Sequence, residues 1–461
     1  MLTPVHPRFI PPPYQDAPDR GRLILRDGSA ADLRPATPAD CPALTNLFLR
    51  LSAESHYQRF HTLSTPSPDL IARLCSAPDP KVAITLVATR TQADEPRIIA
   101  TGTYVARDEN TAEVALVVED TFQGKGLGTL LLERLALLAA QNGFANFWAL
   151  TSSANRAMLD VFRTSGFVVR ERAEGTDIEL TLSVTPTEAS VSGLELRDRI
   201  ATVASLLPLF KPRSVAVVGA SRETAAIGFR ILDALVKEGF AGPIYPVNPK
   251  ASTIAGVKAY PSVSAIPGPV DLAVISVPSA AVLGVVDDCA ARGVRALVVI
   301  TAGFAEVGRA GVELQHHLLA KVRGHGMRMV GPNCLGILNA DPAVRLNASF
   351  SPIFPESGRI AMSSQSGAVG LAALGFARRY GLGFSTFVSV GNKADVSGND
   401  LLQYWEEDTG TGVILLYLES FGNPRRFSRI ARRVGRRKPV VVLFSGRTAA
   451  GSRAAGSHTA A

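Results

Sequence analysis

The chain has 461 residues, 46% of them hydrophobic and 19% charged, which is too long for one core and ordinary for globular α/β material; roughly two to four domains are expected. The formal charge of +8 favours polyanions, but the excess is diffuse apart from residues 425–438. No helix-turn-helix, RNP or basic–aromatic pattern accompanies it, so the expected anions are phosphates of a soluble cofactor and not nucleic acid. No run is long enough for a membrane span, and the Pro-rich first 18 residues lack the apolar centre of a secretory signal. Four scattered cysteines (Cys41, Cys75, Cys289, Cys334) form no metal or disulfide frame and suit reduced packing residues in a cytoplasmic protein.

In chain order, residues 1–20 are expected as a flexible tail and residues 23–35 as a strand pair turning at Asp27-Gly28. Residues 38–52 suggest an amphipathic helix with Thr37 as N-cap before Pro38. Strands at 82–88 and 98–106 form a meander leading to the strand of Glu113. Glu119 and Asp120, just past that strand, read as solvated turn residues. Gln123-Gly124-Lys125-Gly126-Leu127-Gly128 then opens a helix over 129–141. Exposed N–H groups at a helix N-terminus suit a pyrophosphate, and glycines let the backbone approach it without Cβ clashes. A strand at 146–150 follows, then a helix in which Met158, Val161 and Phe162 recur at helical spacing until Gly166 stops it.

The 123–128 loop resembles the acyl-CoA loop of the GCN5-related N-acetyltransferases (GNAT), and the Asn155…Gly166-Phe167 segment extends the similarity over about residues 20–183. The resemblance implies a GNAT α+β domain at 21–183 that uses acetyl-CoA or another acyl-CoA and no metal in the transfer step. It implies Gln123, Gly124, Lys125, Gly126, Leu127 and Gly128 around the pyrophosphate, and the backbone of Leu116, Val117 and Val118 along the pantetheine arm, where the adjacent strand splays away. Asn155 would touch the same arm; its other reading is an N-cap. An amine acceptor with a pKa near ~10.4 must lose a proton before it attacks a thioester. In similar protein-lysine acetyltransferases a glutamate at the place of Glu113 is the general base; otherwise Glu113 is an outward-facing strand residue. Where this family commonly has a thiolate-protonating Tyr the chain has Phe162, which leaves the general acid unassigned.

Residues 184–200 read as a linker, and beyond them strands and helices alternate at the spacing of a parallel α/β fold. The apolar run 214–218 enters a turn at Gly219-Ala220-Ser221 and then a helix, Rossmann-like but without a full G-x-G-x-x-G. Where a nicotinamide dinucleotide site places an acid, this chain offers Asn248 and Lys250, which suits a phosphorylated ribose such as that of CoA. Further strand ends fall at Ser276-Val277-Pro278 and Thr301-Ala302-Gly303. With Gly331-Pro332-Asn333-Cys334, these motifs follow the order seen in the CoA-binding domain of ADP-forming acyl-CoA synthetases and the succinyl-CoA synthetase α subunit. The resemblance, over about 201–461, implies a Rossmann-like domain at 201–340 with CoA or acyl-CoA near Gly219, Ala220, Ser221, Asn248, Lys250, Ser276, Val277, Pro278, Thr301 and Asn333.

It implies a flavodoxin-like ligase domain at 341–461, where Ser364, Ser366 and Gly367 open a helix as a phosphate cradle. Glu419 ends a strand, and Gly456-Ser457-His458-Thr459-Ala460 matches the motif of the family's phosphorylated histidine. An ATP-grasp module, needed to load that histidine, is expected on a separate subunit or in a longer chain. The favoured functional expectation is acyl transfer to a lysine of a protein target such as an AMP-forming acyl-CoA synthetase, regulated by the CoA-binding region. The alternative is an ADP-forming acyl-CoA synthetase α-type component working through His458 oriented by Glu419. A third, non-enzymatic reading is a CoA-sensing scaffold. Apolar strands across 203–461 suit either buried parallel sheets or a homo-oligomer.

Overall fold

The computed structural model describes residues 18–445 except 61, 63, 77, 78, 93 and 94, and the chain divides into two compact units, Met1–Ala201 and Thr202–Ala461. The expected tail lies almost wholly outside the described residues, and so does His458. Among the described residues no helix is long and apolar enough to cross a membrane, and no group of three or more His, Cys, Asp or Glu could hold a metal.

The first unit begins with β1 (Gly21–Ile24) and β2 (Ala30–Pro35), joined at Gly28, whose φ is +83°. The expected long helix at 38–52 is instead a 3-10 turn (Pro38–Asp40), α1 (Cys41–Leu49) and, after a break, α2 (Ala53–Phe60). Thr37 and Asp40 form a capping box, and the Arg34 guanidinium beside Asp40 holds that carboxyl down at about 2. Then come α3 (Pro68–Leu74), β3 (Ala83–Gln92), β4 (Glu95–Ala106), β5 (Thr111–Val118), α4 (Leu127–Gln141), β6 (Asn146–Ser152) and α5 (Arg156–Thr164). The hairpin β7 (Val168–Glu174) and β8 (Asp177–Ser183) precedes α6 (Glu188–Phe210). One sheet runs in the order β1-β2-β3-β4-β5-β6-β8-β7. Its pairs are antiparallel except β5–β6. Strand alternation sends Ala112, Val114 and Leu116 into the core with Leu131 and Leu135 of α4, and Val117 into the core with Leu44 and Phe48 of α1.

Most of the expected linker, 184–200, is helical and belongs to the 23-residue α6. Its polar start hides two anchors, the buried Leu194 and Arg197, whose Nε donates to the buried Glu133 carboxylate at 2.9 Å.

The second unit contains two sheets. The first is built from β9 (Val215–Val218), α7 (Ile227–Lys237), β10 (Ile244–Val247), a small hairpin β11 (Thr253–Ile254) and β12 (Val257–Lys258), β13 (Leu272–Ile275), α8 (Ser279–Ala291), β14 (Ala296–Val299), α9 (Arg309–Gly324) and β15 (Arg328–Val330). Its strands are parallel in the order β10-β9-β13-β14-β15. They are short apolar runs buried on both faces, as helix-covered parallel strands must be.

The second sheet uses β16 (Gly336–Asn339), β17 (Leu346–Ser349), β18 (Ser357–Ser364), α10 (Gly367–Arg379), β19 (Phe384–Ser389), α11 (Gly398–Glu407), β20 (Val413–Leu418), α12 (Pro424–Val434) and β21 (Val440–Phe444). Its order is β17-β16-β19-β18-β20-β21; β16 is antiparallel to both neighbours and the other pairs are parallel. Strand order reverses between β9 and β13 in one sheet and between β18 and β20 in the other, and ligands of open α/β sheets bind beyond the strand C-termini at such points.

A buried ion pair ties the two sheets. Arg328, the first residue of β15, donates from Nε to Asp395 at 2.9 Å, and Asp395 also accepts the Met329 N–H at 3.0 Å. Arg328 and Asp395 are 1% and 0% exposed as side chains. Removing one partner strands the other charge out of water, a loss of about 3–5 kcal/mol. Asp395→Ala is therefore expected to destabilise the second unit by that amount. Denaturant unfolding followed by the buried Trp405, in a Trp148→Phe background, checks it.

Candidate functional site

In the first unit, a fork in the sheet forms the site. β5 pairs with β4 from Ala112 to Val118 but with β6 only where Thr111–Glu113 meets Asn146–Trp148. β6 continues to Ser152 paired with β8. Beyond Glu113 the two strands part, so Leu116 and Val118 present backbone toward β6 without strand pairing, whereas Val117, two residues before the Glu119 N–H that bonds Ile99 O, turns its backbone to Thr101 of β4 and leaves the expected set of three. An extended amide-bearing ligand can use that edge as a strand partner would.

The loop after β5 is tied down from outside. Asp120 is the exposed turn residue expected, but Glu119 is buried. Glu119, 3% exposed, accepts from Arg50 at 3.1 Å and pairs with Arg97. Asp120 accepts the Ser52 N–H at 2.9 Å and the Ser55 hydroxyl at 2.7 Å. Glu119 fixes the 119–126 loop to the end of α1 and to β4, and Asp120 fixes it to the start of α2. Gln123 does the same, its amide donating to Val118 O and Ser55 Oγ, each at 3.1 Å. Gly124 and Gly126 have φ of +71° and +83° with open space where a Cβ would stand, so the backbone conformation requires glycine and leaves the approach clear. No side chain caps α4 after Gly126, which leaves its first N–H groups available to an anion. Leu127 is buried in the core, and Gly128 lets α5 approach: a Cβ there would lie 3.3 Å from Val161.

Lys125 is already engaged, its Nζ 3.3 Å from Asp27 on the β1–β2 turn. Asn155 caps α5, accepting the Met158 N–H at 3.1 Å. Phe162 lies in the core at 2% exposure. Glu113 is exposed on β5, in register with Trp148. Burial lowers the pKa of the Arg59 guanidinium, against the opposing pull of the Glu113 charge. Trp148 Nε1 donates to Glu179 at 2.6 Å, and Arg107 stacks 3.9 Å above the Trp148 ring.

In the second unit, Gly219 follows β9 with φ +89°, and a Cβ there would come within 2.8 Å of Ser276 O, so only glycine permits this crossing of strand ends. Ala220 is buried, its carbonyl accepting from Asn248 at 2.7 Å. Ser221 Oγ accepts the Glu223 N–H at 3.1 Å. Lys250 is exposed, its N–H donating to Asn248 Oδ1 at 2.7 Å. Asn248 thus shapes the turn from within.

A cleft of about 670 Å³ opens at the strand ends of both sheets, within the size range of small-molecule sites. Ser276, Val277, Pro278, Thr301 and Asn333 line it from the first sheet, and Ser366, Gly367 and Glu419 from the second. Sequence reasoning assigned these residues to two domains, and the fold brings them to one wall-to-wall space. Gly219, Ala220, Ser221, Asn248, Lys250 and Ser364 do not line it. Ser364 is buried and its hydroxyl donates to Ser366 O at 2.6 Å, so it braces the cradle. Ser366 caps α10 through the Val369 N–H.

Two residues escaped the sequence reading. Gln365 accepts the Ser420 N–H at 2.9 Å, and the neighbouring Glu419 N–H, on the same Oε1. Lys393 donates from Nζ to Ser420 O at 2.8 Å and Ser420 Oγ at 2.7 Å. Burial pushes its amine down to about 8 against the opposing pull of Glu419. Gln365 lay inside a run already singled out; Lys393 carried no local signal.

Residues 50–167 match the acetyltransferase (GNAT) family, 213–340 a CoA binding domain, and 357–461 the succinyl-CoA ligase like flavodoxin domain. Over 259 residues the chain is 42% identical to the α subunit of ADP-forming acetate–CoA ligase I of Pyrococcus furiosus, covering 55% of this chain and 56% of that one. Acetyl-coenzyme A synthetase 1 of Ca. Korarchaeum cryptofilum, solved with phosphate and ADP, superposes with a TM-score of 0.53 at 50% identity, covering 56% of this chain and 55% of that one. An acetyltransferase of Pseudomonas aeruginosa is 32% identical over 146 residues, 31% of this chain and 78% of that protein. The chain thus spans between 34% and 56% of the length of the synthetase relatives it matches.

The Asn155 cap gives a direct test of its structural part. Asn155→Ala is expected to lower the stability of the first unit by about 1 kcal/mol, measured by thermal unfolding without ligand.

Proposed function

We propose a two-site enzyme on one premise: the chain belongs to the acetyltransferase (GNAT) family through its first unit, and its second unit carries CoA-binding and ligase domains homologous to those of ADP-forming acetyl-CoA synthetases. The second unit acts as an α-type component of such a synthetase. The observation that carries this reading is the cleft shared by the two strand-end sets, with a carboxylate, Glu419, in its wall. CoA or acyl-CoA sits along the Ser276–Pro278 and Thr301 side, and phosphate at the Ser366–Gly367 end of α10.

A phosphate oxygen attacks the thioester carbonyl; the C–O bond forms, the C–S bond breaks, and CoA leaves as thiolate to be protonated. The imidazole of His458, which lies outside the described residues, then takes the phosphoryl group: N–P forms, P–O breaks, and the carboxylic acid leaves. Glu419 orients that imidazole. A separate ATP-grasp subunit passes the phosphoryl group to ADP, in keeping with the α-subunit character of the Pyrococcus relative. Labelled acetyl phosphate is expected to mark wild-type protein as phosphohistidine and to leave His458→Ala unmarked; equal labelling of both overturns the reading.

The fork beyond Glu113 supports a second activity on the same chain, acyl transfer from acyl-CoA to an amine. The acceptor we favour is a lysine of a protein target, an AMP-forming acyl-CoA synthetase among them, with the second unit biasing the first through its own CoA site. Glu113 accepts the amine proton directly or through water. With labelled acetyl-CoA and such a target, Glu113→Gln is expected to lower the transfer rate by about 10²–10⁴-fold, and His458→Ala to leave it unchanged. A Glu113→Gln variant as active as wild type overturns this assignment.

A further inference from the structure

Lys393 lies at the end of a loop that the rest of the second unit holds rigidly. Gly391 lines the cleft and sits so close to the exit of β15 that a Cβ would meet Pro332 O at 2.3 Å. Asn392 N–H donates to Pro332 O at 2.9 Å, and Ala394 N–H to Gly331 O at 3.1 Å. The Asn392 side chain bridges Gln315 at 2.9 Å, Glu306 at 2.5 Å and Asn333 at 3.3 Å. Asp395 anchors the far end on Arg328. Asn333 and Lys393 both adopt positive φ, 55° each, on either side of Gly391. Strained conformations of this kind persist only where surrounding contacts fix them, and they concentrate at functional sites.

The loop delivers one long cationic side chain to the end of β20. The Lys393 ammonium donates to both the carbonyl and the hydroxyl of Ser420, and Gln365 grips the N–H groups of Glu419 and Ser420 from the β18 side. The two residues together leave the backbone at 419–420 one position. A half-buried lysine needs no two acceptors on one residue, and an ion pair alone would be met by a direct contact with Glu419.

We propose that Lys393 is the positioning residue of the cleft, its ammonium holding Ser420 so that the adjacent Glu419 carboxylate keeps its place in the cleft wall. The proposal rests on the synthetase reading. It makes phosphoryl transfer depend on the charge of Lys393, because the cation both ties Ser420 and balances Glu419. The groups around it are accounted for. Glu419 is the charge that acts on it from β20, Ser420 is neutral, Glu306 is engaged by Asn392, and Asp395 of its own loop is paired with Arg328 and Arg323. The amine, lowered by burial to about 8, is charged below that pH and neutral above it. The activity is therefore full on the acid side of pH 8 and lost as pH rises through it.

The test uses the full chain with acetyl phosphate labelled at phosphorus, reading phosphohistidine between about pH 7 and pH 9. Wild-type labelling is expected to fall about tenfold over that interval, as a single proton of this affinity leaves. Lys393→Arg, whose guanidinium does not titrate there, is expected to keep the label and abolish the fall. Lys393→Met is expected to lose at least about tenfold already at pH 7. Equal labelling of Lys393→Met and wild type at pH 7, or the same alkaline fall in Lys393→Arg, overturns the proposal. A chain in which the wild type forms no phosphohistidine overturns the synthetase reading instead, and hydrogen exchange then decides on Lys393. Amides 419–421 are expected to exchange faster in Lys393→Met than in wild type, and equal rates overturn the positioning role.

Discussion

The tie between Arg328 and Asp395 is the constraint on which the second unit's cleft depends. Two open sheets can each bury their own faces and still leave their ligand-binding edges pointing apart. Here the residue that starts β15 holds the loop that follows β19, through a charge pair from which water is excluded. Such a pair contributes little net stability compared with an apolar filling of the same space. What it supplies is geometry: the 390–397 loop has one acceptable position, and Gly391, Asn392 and Lys393 inherit it. The Asn392 bridge to Glu306, Gln315 and Asn333 repeats that link with neutral groups closer to the cleft.

The first unit meets a different requirement by a related device. A ligand with two amides and a diphosphate needs unpaired backbone, which a folded chain normally satisfies internally. β5 and β6 separate after three paired residues, so one strand edge stays open, and the uncapped end of α4 supplies N–H groups beside it. The cost of leaving such groups exposed is contained by fastening everything around them. Glu119, Asp120 and Gln123 tie the loop to Arg50, Arg97, Ser52, Ser55 and Val118.

Short-range signals were legible in the sequence, and long-range ones were not. The glycines at 124, 126 and 219 announced turns because a positive φ is a local demand. The alternation of strand and helix beyond residue 214 announced parallel sheets because buried strands must be apolar throughout. The break between α1 and α2 was missed because residues 50–52 carry no helix breaker; the Arg50 and Ser52 contacts to Glu119 and Asp120, nearly 70 positions away, end the helix there. α6 was missed for the same reason, since its first turn is polar and its partner, Glu133, lies on another helix. Glu119 looks like a turn residue by type, and only the fold shows that its charge is buried against Arg50 and Arg97. The meeting of Thr301 and Asn333 with Ser366 and Glu419 is likewise a product of topology.

At two places a carboxylate acts on a cation, and the kinds of cation differ. Glu113 acts on Arg59, whose charge persists across the physiological range even though burial lowers its pKa. Glu419 is accompanied by Lys393, whose charge does change near pH 8. The first carboxylate thus acts on a cation that stays charged, and the second on one whose charge fades as pH rises through about 8.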